Sequence, residues 1–173
     1  MKLAQVARRF LPGFLVQWIY FVRFRAMVSP RAEVEVSGHA RFGRGTVISS
    51  FTKIKISGPF VTGRRVQIAS NCFIEVGAGG LTIGDDVLVG PLCGIVTTNY
   101  RYERLGVPMF EQGTTSHGVT IGDRAWIGAG VTILDGATIG PDAIITAGSV
   151  VTHDVPAGAI VQGSPAQVVF RRR

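Results

Sequence analysis

Along most of the chain an aliphatic side chain returns every six positions. Ruled into hexads from Val36, the first positions are Val36, Phe42, Ile48, Ile54, Phe60, Val66 and Cys72, then Ile83, Val89 and Ile95. After a gap they resume at Ile121, Ile127, Ile133, Ile139, Ile145 and Val151. The fifth position of each hexad is almost always small or Val, as at Ala40, Thr46, Ala125, Ala137 and Ser149. A helix would need apolar residues at 3.6 spacing and a half-buried strand would need alternation, so the period excludes both. One branched aliphatic per six residues predicts a hexapeptide solenoid, in which each hexad is a short strand and a turn. Three hexads close a triangular coil, and coils stack through parallel strand pairing. The expected fold is therefore all-β, a parallel β-helix of about five coils. Glycines such as Gly84, Gly122, Gly128 and Gly140 are expected at its corners, where positive φ suits them.

Two stretches leave the beat. GAGGLT at 77–82 shifts the register and reads as a small corner bulge. VTTNYRYERLGVPMFEQGTTSHGV at 96–119 reads as an excursion that leaves the solenoid and returns to the next coil. Long loops on rigid scaffolds usually carry function. This one holds Asn99, Tyr100, Arg101, Tyr102, Glu103, Arg104 and His117.

A third apolar run, FLPGFLVQWIYFV at 10–22, is too short to cross a bilayer and precedes no small-residue cleavage site. Leu11, Phe14, Leu15, Trp18, Ile19 and Val22 fall at helical spacing on one face. Such a helix either packs on the body or a neighbouring subunit, or lies at a membrane surface. Charge sharpens the second reading. Residues 1–32 carry Lys2, Arg8, Arg9, Arg23, Arg25 and Arg31 with no acid, and the chain ends Arg171, Arg172, Arg173. The net charge of +7 therefore sits at the two ends. That is not the continuous basic stripe of a nucleic-acid reader, so no nucleic acid is expected. The reading divides the chain into a basic N-terminal segment (1–32), a β-helix (33–170) and a basic tail (171–173).

Cys72 and Cys93 have neither a disulfide framework nor zinc-type spacing and read as small buried residues, and no metal site is expected. His39, in an early coil, reads as a surface residue.

IGDRAWIGAG at 121–130 and AGSVVTHDVPAGAIVQGSPA at 147–166 resemble the hexapeptide-repeat acyltransferases, most of all the xenobiotic, galactoside and surface-polysaccharide O-acetyltransferases. The similarity covers about residues 36–170. It implies a left-handed β-helix, a homotrimer with active sites between adjacent prisms, and acetyl-CoA as co-substrate. The matching coenzyme A positions are Trp126, Ala129, Ala147, Thr152, His153 and Gln167. His153 stands where the family usually has lysine, and Gln167 where a basic residue is common, leaving the arginine tail to supply charge. Trp126 suits either coenzyme A contact or a subunit contact.

The implied reaction is transfer of an acetyl group to a saccharide hydroxyl, which needs a base to take the hydroxyl proton. The family's histidine lies inside the excursion in a short Asn-His or Gly-His context. Here the match reads Asn99-Tyr100, so tyrosine holds that position. Two candidates remain for the base: His117 at the loop's far end, and Tyr100 if Arg101 or Arg104 stabilises its anion. A catalytically silent trimer is the alternative. Three dispersed histidines (His39, His117, His153) do not suit a zinc carbonic anhydrase, and the large N-terminal helical domain of serine acetyltransferases is missing. The expected location is cytoplasmic, with peripheral contact at the inner membrane face through residues 8–25.

Overall fold

A computed structural model describes residues 12–172. It is nearly all-β. After one helix, α1 (Gly13–Phe24), the chain winds through short parallel strands forming three faces. The second face holds six strands, one per turn, so six turns lie among the described residues. The first strand, Met27–Val28, already pairs with Val47–Ile48 inside the basic segment, and this adds a turn to the five expected. At the other end Gln167–Arg171 folds back antiparallel on Ala159–Gln162.

Register explains the hexads. On the first face Val28, Ile48, Ile68, Val89, Ile127, Ile145 and Val161 are paired in succession and buried. On the second the ladder is Val34, Ile54, Ile74, Ile95, Ile133, Val151. On the third it is Phe42, Thr62, Ile83, Ile121, Ile139. Each buried Ile or Val contributes about 1.5–3 kcal/mol over exposure. Stacked at about 4.8 Å, they form one continuous core.

The hexad ruling misplaces part of this ladder. Val36, Phe60, Val66 and Cys72 were expected to head hexads, but the paired inward residues are Val34, Thr62, Ile68 and Ile74. The reason is a longer corner between the second and third faces: the ladder advances eight positions from 34 to 42 and from 54 to 62, and nine from 74 to 83. Val66 and Cys72 then take the small buried place two residues before the ladder, where Thr46, Val87, Ala125 and Ala143 also sit.

The corner glycines act through space rather than dihedral freedom. Gly84, Gly122, Gly128 and Gly140 are not among the residues of positive φ. A Cβ on Gly128 would come within 2.6 Å of the Ala147 nitrogen in the next coil. Several left-handed positions fall instead to side-chain-bearing residues three places before a ladder residue, among them Phe51, Arg65, Asp86 and Arg124. At the corner leading into the first face, one column of side chains alternates in charge from Arg65 to Asp142. Arg65 pairs with Asp86 and Arg124 with Asp142. Hydrogen bonds from these guanidinium groups hold the Asp86 and Asp142 carboxyls below their ordinary range. Exposed pairs of this kind add little stability.

Cys72 and Cys93 are buried free thiols in neighbouring coils. Cys93 Sγ donates to the Gly128 carbonyl at 3.1 Å. The contact with the Cys72 thiol, together with burial, pushes the Cys93 pKa up, as suits an inert packing group, whereas the same contact draws the Cys72 pKa down to about 7.

α1 closes the N-terminal end. Tyr20 lies on Phe42 (5.0 Å between centroids) and Phe42 on Phe60 (5.1 Å), extending the core beyond the first turn. The Tyr20 hydroxyl donates to the Glu35 carbonyl at 2.7 Å. The buried residues of α1 are Val16 and Tyr20. Of the expected stripe, Phe14, Leu15, Trp18 and Val22 face outward, Ile19 is half-buried, and Leu11 lies outside the described residues.

If backbone approach is what demands glycine at these corners, Gly128→Ala will destabilise the fold although alanine could adopt its φ. The expected loss is about 1–3 kcal/mol, read as a lowered urea midpoint at unchanged m-value.

Candidate active site

The excursion leaves the solenoid at the same long corner that lengthens the earlier turns. It departs after Gly94–Val96 and returns at Val119–Ile121. Its two ends pair as an antiparallel hairpin, Asn99 opposite Thr115 and Tyr100 opposite Thr114. Gln112 is buried and staples the loop: its side chain accepts from the Arg104 N–H at 2.9 Å and donates to the carbonyls of Arg104 and Val107.

The loop stands on the other interruption of the beat. The Ser116 hydroxyl donates to the Thr97 carbonyl and accepts from the Gly79 N–H at 2.8 Å, and the Thr97 hydroxyl accepts from the Gly77 N–H at 2.7 Å. Gly118, at φ +91°, lies so close to Gly79 that a Cβ would strike its carbonyl. The glycines at 77–80 are thus the bed on which the excursion's feet rest.

Those feet deliver His117 to Asp135 in the next coil. Asp135 accepts from the backbone N–H groups of His117 and Gly118, both at 2.8 Å, and its Oδ2 lies 3.0 Å from His117 Nδ1. Its side chain is fully buried whereas that of His117 is 72% exposed. An ionised carboxylate can only accept, so this contact selects the tautomer with hydrogen on Nδ1. The lone pair is then on Nε2, which no described residue occupies with a hydrogen bond. A carboxylate-oriented imidazole with one free nitrogen is the arrangement that hydrolytic triads use to take a proton. Asp135 was not singled out from sequence. In LDGATIG it looks like any other corner aspartate, and only the fold brings it under the loop.

Tyr100 stands differently. It is 59% exposed, and among the described residues no hydrogen bond links its hydroxyl to Arg101 or Arg104. The Arg104 guanidinium bonds the Glu111 carbonyl instead. Asn99 and Tyr100 lie on the strand opposite the one that leads to His117, paired with Thr115 and Thr114.

Four of the six coenzyme A candidates occupy the edges of the second face. Ala129 and Ala147 stack at its junction with the first face, where the Gly148 N–H donates to the Ala129 carbonyl at 2.9 Å. Thr152 and His153 lie at the opposite edge, bonded to one another at 2.9 Å. His153 is two residues after Val151, which pairs with Ile133, in a corner that takes four positions from Val151 to Val155 where the coil below takes six from Ile133 to Ile139. Between the edges the outward residues are small: Gly94, Thr132 and Val150. Trp126 lies around the corner on the first face between Leu88 and Ile144, and Gln167 starts the antiparallel strand at the far end. A hollow of about 430 Å³ beside α1, lined by Gln17, Met27, Ser29 and Ser70 among others, is remote from this chemistry.

Comparison with known proteins follows this geometry. The family model described as bacterial transferase hexapeptide (six repeats) matches residues 118–153. Nodulation protein L of Rhizobium meliloti is 36% identical over 155 residues, covering 88% of this chain and 74% of that protein. The chain belongs to the bacterial hexapeptide-repeat transferases. A probable acetyltransferase of Mycobacterium tuberculosis, Rv3034c, is 27% identical over the whole of this chain, which spans 62% of its length. Among solved structures, AntD, an N-acyltransferase from Bacillus cereus in complex with dTDP and coenzyme A, superposes with a TM-score of 0.79. The identity is 19%, covering 90% of this chain and 88% of that one. That likeness bears on the fold alone.

If Asp135 anchors the foot of the loop, Asp135→Ala will free the amides of His117 and Gly118. Hydrogen exchange there should accelerate by at least an order of magnitude, at about 1–3 kcal/mol for the lost carboxylate bonds, while the ladder amides of Ile133 and Ile139 keep their protection.

Proposed function

We propose that the protein is an acyltransferase that moves the acetyl group of acetyl-CoA to a saccharide hydroxyl, with His117 as general base and Asp135 as the residue that positions it. The His117–Asp135 contact carries the reading. The acceptor oxygen attacks the thioester carbonyl carbon while His117 Nε2 takes its proton. The tetrahedral oxyanion then collapses, the C–S bond breaks, and the imidazolium returns the proton to the departing sulfur. The products are an acetyl ester and free coenzyme A, and the base ends as it began. Base catalysis of this kind contributes about 10²–10⁴-fold.

An imidazole backed by a buried carboxylate suits a hydroxyl, whose proton must leave as the new bond forms. This favours oxygen over nitrogen as the acceptor atom. The exposed aromatic side chains of the excursion, Tyr100, Tyr102 and Phe110, would suit the face of a sugar ring. A dyad of this form also supplies the base whose replacement by Tyr100 motivates the silent-trimer alternative.

The homotrimer belongs to the same proposal. On one chain the imidazole is mostly in water, where a thioester and a base meet without exclusion of solvent. A second prism would wall the small-residue strip Gly94, Thr132, Val150. The outward row of the first face, with Met27, Leu88, Trp126 and Phe170 all substantially exposed, would supply the apolar contact.

Purified protein supplied with acetyl-CoA and glycan acceptors should release coenzyme A. His117→Ala should lower kcat by about 10²–10⁴-fold, Asp135→Asn should lower it less, and Tyr100→Phe should leave it within a few-fold. Full turnover in His117→Ala would discard the assignment. Leu88→Arg should convert the trimer to monomer in light scattering and abolish turnover, whereas a trimer that persists would remove the first face from the interface.

A further inference from the structure

We propose that α1 is an interfacial helix that seats the protein on an anionic lipid bilayer. The helix uses a narrow stripe, Val16, Tyr20 and Phe24, to plug the end of the core. Its remaining apolar residues, apart from half-buried Ile19, point away from the protein. Phe14, Trp18, Phe21 and Val22 are each more than half exposed, and Leu15 joins them. Their spacing at 14, 15, 18, 21 and 22 makes one continuous outward face. In water this is an unfavourable arrangement that a headgroup and acyl-chain boundary would relieve.

Charge selects the occupant. Arg23 and Arg25 at the C-terminal end of the helix, and Arg31 six residues beyond Arg25, are exposed and form no ion pair among the described residues; the guanidinium groups of Arg23 and Arg31 lie over the Phe24 and Phe51 rings. No acid occurs from residue 1 to residue 32. A second copy packed face to face would bring these arginines against their own symmetry mates, a like-charge contact that opposes association. A surface of anionic headgroups neutralises them instead. Twelve residues give a helix about 18 Å long, and no helix among the described residues is long and apolar enough to cross a membrane. The helix therefore lies in the interface. Because it caps the end of the solenoid, the coil axis stands off the bilayer. The excursion, three coils further on, is then held about 14 Å from the helix end at ordinary strand spacing.

The test uses the full chain and sedimentation with two vesicle types, phosphatidylcholine alone and phosphatidylcholine with phosphatidylglycerol in equal parts. The expected result is binding to the anionic vesicles with little to the neutral ones, and a blue shift of tryptophan emission on binding. Trp18→Glu with Phe21→Glu should abolish it, with oligomeric mass and far-ultraviolet circular dichroism unchanged. Arg23→Glu and Arg25→Glu should each weaken partitioning on the order of fivefold or more. Absence of wild-type binding to anionic vesicles overturns the proposal. So does equal binding by the Trp18/Phe21 variant, or a change of oligomeric mass in that variant, which would make the face a subunit contact. None of these outcomes depends on acetyl transfer.

Discussion

Parallel stacking of one coil on the next, in register and at strand spacing, is the constraint from which the rest of this molecule follows. It places Ile68 over Ile48 and Val89 over Ile68, and so builds a core from single aliphatic residues. It brings the backbone of Ala147 so near Gly128 that no side chain fits between them. It also leaves an inserted segment one way to go, sideways at a corner. The corner between the second and third faces takes the extra residues in the early turns, and the excursion emerges there one coil later.

The chemistry inherits its geometry from that stacking. A loop alone holds a histidine loosely. Here the loop's return foot rests on the bed of Gly77–Gly80, while the next coil presents Asp135 from a buried position under it. The carboxylate spends two contacts on backbone N–H groups and one on the ring, so it fixes the imidazole and the segment that carries it at once. That positioning is already complete on the single chain, which is the preorganisation the proposed base would need.

The period of six was plain in the sequence because nothing else produces it, and the two interruptions were visible as breaks in it. Their relation was not, since Gly77 and Thr97 meet only when the coils stack. The ladder was misassigned over VQI and CFI because each triplet offers two eligible apolar residues, and only the length of the preceding corner chooses between Val66 and Ile68 or Cys72 and Ile74. The periodicity of α1 identified an apolar stripe but held no information on which way it faced. Tyr20, with its hydroxyl satisfied by Glu35, is a better plug for the core than Trp18. His117 was legible as a polar residue at the end of a long loop. Asp135 was not, because Asp85, Asp123 and Asp142 occupy corners with similar local sequence and serve the architecture instead.

The most direct measurement is a crystal structure of the full chain with coenzyme A bound. A homotrimer is expected, with the thiol sulfur in a groove between two prisms, facing His117 Nε2 and with Asp135 still on Nδ1. A sulfur seated away from His117, or a coenzyme bound wholly on one chain with the imidazole turned to solvent, would contradict the proposed site.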